Sequence, residues 1–267
     1  MIKLLVVNGC SLTRGRELDA PDAESWPALL SNRLGISLVN LARDGGSNRR
    51  AARTTVTAIS DICRNQGVNA NEVLFLGLWT YLERYEYFVN NAPSGGLWPD
   101  DEGWGTIDPY MIDLRRTKSL RALFRQLKNR APRAFYHQLW SEEGQGVSFL
   151  LDWVMLDAFL ISRGYEARYA FGAPLCISDS DTSQKLAGML DPKRVYGGLN
   201  PRYDRSFMGL TSELQRGPEL HPLTAGHQAF ALALADWLAD DASLALSSLE
   251  RRGSSTWPSA NPDDHAG

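Results

Sequence analysis

At 267 residues, with 43% hydrophobic and 22% charged side chains, the chain has the composition of an ordinary globular protein and the length for one sizeable core. A formal net charge of -3 leaves no overall basic surplus, so neither nucleic acid nor an anionic membrane is expected as the main partner. The 3 cysteines, Cys10, Cys63 and Cys176, lack Cys-x-x-Cys spacing, which argues against a disulfide framework and a structural zinc site and favours a reducing, cytoplasmic setting.

Residues 2–7 are apolar apart from Lys3, short and partly β-branched, as in a parallel strand buried on both faces. The run is too short for the core of a signal peptide, and no segment approaches the roughly 18 to 20 apolar residues of a membrane span. Ser25, Pro27 and the spaced Trp26, Leu29, Leu30 and Leu34 predict a helix ending near Gly35. Residues 36–41 read as a second strand. Asp44-Gly45-Gly46-Ser47-Asn48 is a turn, with Ser47 capping a helix through about Cys63. Residues 73–78 give a third buried strand. Strand, helix, strand, helix, strand is the order of a doubly wound α/β sheet, whose functional loops lie beyond the carboxyl ends of the strands.

Residues 80–113 read as a long irregular insertion rich in aromatics, among them Tyr81, Tyr85, Tyr87, Phe88 and Trp104, suited either to a lid or to burial against the core. A basic helix is expected over 115–130, an apolar helix over 147–163, a fourth strand over 165–171 and a second irregular insertion over 174–217. A last helix spans 223–238. The polar residues 241–267 read as a disordered tail behind one domain, 1–240.

The chemistry-bearing residues lie at the two ends. Asn8-Gly9-Cys10-Ser11 leaves the first strand, where a turn can expose the serine hydroxyl, and Glu219-Leu220-His221-Pro222 offers a late histidine to take its proton. Taken alone, Ser11 is a common turn or helix-cap serine; the pair with His221 points to a serine hydrolase or acyl transferase. Cys10 is a rival nucleophile or a packed thiol. His227 reads as a first-turn helix residue, since no carboxylate cluster surrounds it. Arg43, Arg49, Arg50 and Arg53 read as a solvated helix face or as a site for a substrate carboxylate or phosphate.

Taken together, these segments resemble the SGNH, or GDSL-type, hydrolase superfamily over about residues 2–239, in particular a branch beginning with Asn-Gly-Cys-Ser. The resemblance implies a three-layer α/β/α sandwich with a parallel sheet, carrying insertions after strands three and four. It makes Ser11 the nucleophile, His221 the base and the Gly46 N–H an oxyanion donor. Two blocks depart from the pattern: Gly77-Leu78-Trp79-Thr80 lacks the asparagine of the third, and Pro218-Glu219-Leu220-His221 lacks the aspartate of the fourth. Asn48, or the Thr80 hydroxyl, is expected to fill the vacant donor position, with Trp79 and Thr80 at the substrate side. Glu219 or a backbone carbonyl is expected to orient His221. The implied activity is hydrolysis of a small acyl ester or thioester through an acyl-serine, with acyl transfer and a catalytically degenerate binding protein as alternatives. No cofactor, metal, nucleic acid or membrane partner is implied.

Overall fold

The computed structural model describes residues 1–88, 98–99, 104–109, 133–175, 177–200, 202–241, 244 and 246. The helix expected over 115–130, the tail beyond 246 and Cys176 lie outside the described residues.

Strand β1 (Leu4–Asn8) is buried throughout and runs into helix α1 (Ser11–Arg14). Helix α2 (Pro21–Glu24) precedes α3 (Trp26–Leu34), which Gly35 ends in the left-handed region that glycine enters without a Cβ clash. Strand β2 (Ser37–Asn40) leads through the glycine turn into α4 (Asn48–Gln66), whose first turn is capped by the Ser47 hydroxyl accepting from the Arg50 N–H at 3.1 Å. Strand β3 (Val73–Trp79) is again wholly buried.

The following insertion is more regular than its composition predicts. Strands β4 (Tyr85–Phe88), β5 (Trp98–Pro99) and β6 (Trp104–Ile107) form a small antiparallel sheet in the order β4-β6-β5. It is moored to α4 by Glu86, 2% exposed, which takes a forked pair of hydrogen bonds from Arg53 at 3.1 and 2.9 Å; the same guanidinium lies 4.5 Å over the Trp104 ring.

Helix α5 (Glu142–Ser162) begins ahead of the expected 147 because Ser141 caps it, accepting from the Gly144 N–H. Its 21 residues are long and apolar enough to cross a membrane by length and composition, contrary to the sequence expectation. Here Phe149, Leu150, Trp153, Leu156 and Leu160 pack into the core. Strand β7 (Glu166–Phe171) follows. The second insertion contains two helices, α6 (Asp181–Ala187) and α7 (Phe207–Leu210), so it too is less irregular than expected. Helix α8 (Thr224–Ala239) closes the fold.

The main sheet has the order β2-β1-β3-β7, with every pairing parallel. Alternating residues feed two cores. Val6, Phe75, Trp79 and Tyr169 meet α4 and α5 on one face; Leu5, Val7, Leu76 and Leu78 meet α3 and α8 on the other. This is the three-layer α/β/α sandwich expected. The chain steps from β1 outward to β2 and then returns to β3 on the other side of β1, so the strand order reverses between the carboxyl ends of β1 and β3. That is where ligand crevices form in such sheets.

Trp153, fully buried, touches the rings of Trp79, Phe149, Tyr169 and Phe171 at centroid distances of 5.4, 5.5, 5.2 and 5.8 Å. Trp153→Ala should cost about 3–5 kcal/mol in urea-unfolding free energy. Met155→Ala, on the exposed side of the same helix, should change it by no more than about 0.5 kcal/mol.

Candidate active site

Asn8 at the end of β1 fixes the approach to Ser11. Its Nδ2 donates to Ala51 O, Thr54 Oγ1 and Thr55 Oγ1 on α4, and its Oδ1 accepts from the Gly9 N–H. Gly9 admits no side chain: a Cβ there would lie 2.4 Å from Thr13 Oγ1 and 2.9 Å from Leu78 O. The strand thus turns tightly into α1, leaving Ser11 in the first helical position, where its backbone N–H has no partner within the helix.

The Ser11 Oγ lies 2.9 Å from His221 Nε2 across 210 residues. On the far side of the ring, Nδ1 lies 2.9 Å from Oε2 of Glu17. A carboxylate can only accept, so the ring proton sits on Nδ1 and Nε2 is left to accept from the serine hydroxyl. The orienting acid expected at Glu219 is therefore Glu17. Its carboxylate also accepts from the backbone N–H groups of Glu219 at 2.8 Å and His221 at 3.1 Å. Burial raises the Glu17 carboxyl, but the Glu219 N–H, the His221 ring and the His221 N–H together outweigh it and hold the group below its usual range.

Backbone geometry explains the substitution. Leu220 has φ of 68°, a left-handed value that costs a leucine energy, and this kink turns the N–H groups on either side of it toward Glu17. Glu17 itself has φ of 70°. Gly217 lines the carboxylate's seat: a Cβ there would lie 2.6 Å from Glu17 Cδ. Glu219 turns its side chain the other way, onto Arg16, whose Nε and Nη2 donate to it at 2.6 and 2.9 Å while Nη1 reaches Asp44 Oδ2 at 2.8 Å. Arg16 thereby ties the histidine loop to the glycine turn, and its hydrogen bonds, aided by its charge, hold the Glu219 carboxyl below its usual range. No sequence pattern singles out Glu17; an acid six positions after the serine was its one trace.

The donors expected around the oxyanion fall differently. The Gly46 N–H is committed within its own turn, donating to Arg43 O at 3.0 Å. Asn48 commits both ends of its amide to the Thr80 backbone, donating to the carbonyl at 3.0 Å and accepting from the N–H at 2.7 Å. It clamps α4 to the end of β3 and does not swing toward the serine. Trp79 is a core residue, 1% exposed and stacked on Tyr169 at 5.6 Å, because strand parity sends it to the α4 and α5 face. Thr80 stays at the sheet edge. Cys10 is buried, as its packed reading requires.

Of the arginines near the turn, Arg53 holds Glu86, Arg50 donates to Leu41 O, and the exposed Arg49 pairs with Asp152 at 3.3 Å. Among the described residues no group of three or more His, Cys, Asp or Glu is placed to hold a metal.

The sequence pattern of the Family of unknown function (DUF6071) matches residues 11–248. The chain belongs to that family. The DUF6071 match begins at Ser11 and includes Glu17 and His221. No curated protein sequence matches. Similar solved structures include one described as TesA (11% identity, TM-score 0.45, covering 88% of this chain and 98% of the other) and the psychrotrophic esterase EstA from Pseudoalteromonas sp. (10%, 0.44, 88% and 96%). A third is the salicylyl-acyltransferase SsfX3 from a tetracycline biosynthetic pathway (13%, 0.45, 92% and 57%).

His227, in the first turn of α8, supports the loop from behind. Its Nδ1 accepts from the Trp26 N–H at 3.0 Å. Burial first, then the nearby His221, push it down to about 4. The unfolded chain binds this proton near the usual value of 6.5 and the folded chain does not until about 4. Stability should therefore fall as pH drops from about 6.5 to about 4, by this group alone, and level off below. Melting temperatures of His227→Gln should be lower at neutral pH and flatter than wild type across that window. An equally steep profile in the variant would remove His227 as the cause.

Proposed function

We propose that the protein is a serine-dependent acyl hydrolase of SGNH type, cleaving a small acyl ester or thioester through an acyl-serine. The observation that carries this reading is the unbroken hydrogen-bonded line from Ser11 Oγ through His221 to Glu17. Order and geometry suit the chemistry: His221 Nε2 takes the serine proton as Oγ attacks the carbonyl, and Glu17 stabilises the imidazolium that forms. His221 then returns the proton to the departing alcohol or thiol. A water activated by the same nitrogen attacks the acyl carbonyl and frees Ser11. The N–H of Ser11, in the first turn of α1, is a backbone donor suited to the developing oxyanion. The resemblance seen in the first and fourth sequence blocks supports the same reading.

Fluorophosphonate labelling tests it. Wild type should be modified at Ser11, and Ser11→Ala should not react. Glu17→Gln should slow labelling by about 100-fold or more, since loss of the orienting charge disturbs the tautomer and the imidazolium together. Glu219→Gln should slow it by less than about tenfold, because it loosens only the Arg16 tie, an exposed pair. Equal losses in the two variants would return the orienting role to Glu219. Absence of labelling in wild type between pH 6 and 9 would favour a binding protein.

A further inference from the structure

We infer that the Thr80 hydroxyl is the side-chain oxyanion donor of this site, and that Arg84 is the positioning residue that aims and polarises it. The inference rests on the Ser11 reading above. Thr80 follows β3 and Ser11 follows β1; these adjacent strands pair Asn8 with Gly77, so both residues leave neighbouring strands at the carboxyl edge where the strand order reverses. Thr80 is 1% exposed, and its backbone is clamped at both polar ends by Asn48. A buried hydroxyl on a clamped backbone is a preorganised group.

Arg84 sets the direction of that hydroxyl. Its Nη1 lies 3.2 Å from Thr80 Oγ1 and 3.4 Å from Gly46 O, and its Nε donates to Asp108 Oδ2 at 2.9 Å. A guanidinium only donates, so Thr80 Oγ1 is the acceptor in that contact and keeps its own hydrogen to give. No described residue takes it. Accepting from a cation also makes a hydroxyl a better donor, since hydrogen bonds in series polarise one another. The ion pair is itself well buried, with side chains 10% and 9% exposed, which fixes the fork. Through Gly46 O and Thr80 Oγ1 the one cation touches the loops after β2 and β3. Trp79 lies in the core, and Thr80, the next residue along, carries the hydroxyl.

The test is saturation kinetics of fluorophosphonate inactivation, read as the limiting rate and the half-saturating concentration. Thr80→Val keeps shape and removes the hydroxyl; it should lower the limiting rate by about 100-fold with the half-saturating concentration unchanged. Thr80→Ser should recover most of that loss. Arg84→Met should also slow the limiting step, and because Arg84 acts through Thr80 the double variant should be no more than about threefold below the slower single one. A Thr80→Val rate within about threefold of wild type, or losses that multiply in the double variant, would overturn the inference while Ser11→Ala still fails to label. An unreactive wild type would remove the Ser11 reading and this inference with it. Should Arg84→Met not fold, the Thr80→Val and Thr80→Ser pair still decides.

Discussion

The site depends on the seating of one carboxylate. Glu17 accepts from two backbone N–H groups and one imidazole, all from a single loop at the other end of the chain, and Gly217 leaves the room it occupies. A buried anion is costly without such partners, and here hydrogen bonding outweighs burial, so the group stays charged. Glu17 thus folds the histidine loop and orients the histidine with the same atoms. The left-handed backbone at Glu17 and Leu220 is the local cost of that arrangement, and it falls on the two peptides that create the contact.

Around that seat the loops are joined by charge. Arg16 bridges Glu219 and Asp44, and Arg84 bridges Asp108, Thr80 and Gly46. The two arginines differ in setting. Arg16 is about one-third exposed, so its bonds organise the rim and are screened by solvent, whereas Arg84 is buried and its geometry is rigid. The small antiparallel sheet supplies Asp108 just past β6, so this insertion is part of the site's scaffold.

Much of this was legible in the sequence wherever the signal was local. Apolar runs gave the parallel strands, Gly35 and Ser47 gave helix ends, and the serine and histidine stood out by residue type and order. What stayed hidden depended on long-range geometry. Glu219 is nearer to His221 in sequence, but the kink at Leu220 sends its N–H toward Glu17 while its side chain goes to Arg16. Asn48 was read as a free donor because its partner, the Thr80 backbone, is 32 positions away. Trp79 could have been placed by counting: Val73, Phe75 and Trp79 alternate onto one face of β3, which belongs to the core. The antiparallel strands escaped because aromatics at Tyr85, Tyr87 and Trp104 obscured a short alternation within a glycine-rich stretch.

The placement of Glu17 also bears on how this architecture can vary. Ser11 and Glu17 sit six residues apart on one short peptide, and only His221 arrives from a distance. Lengthening or trimming the segments between β3 and α8 leaves the spacing of the first two groups untouched, and the entropy of closing the remaining loop grows only logarithmically with its length. Insertions there are free to remodel the surroundings of the site, while the hydrogen-bonded line of Ser11, His221 and Glu17 is held by a compact amino-terminal segment and one incoming loop.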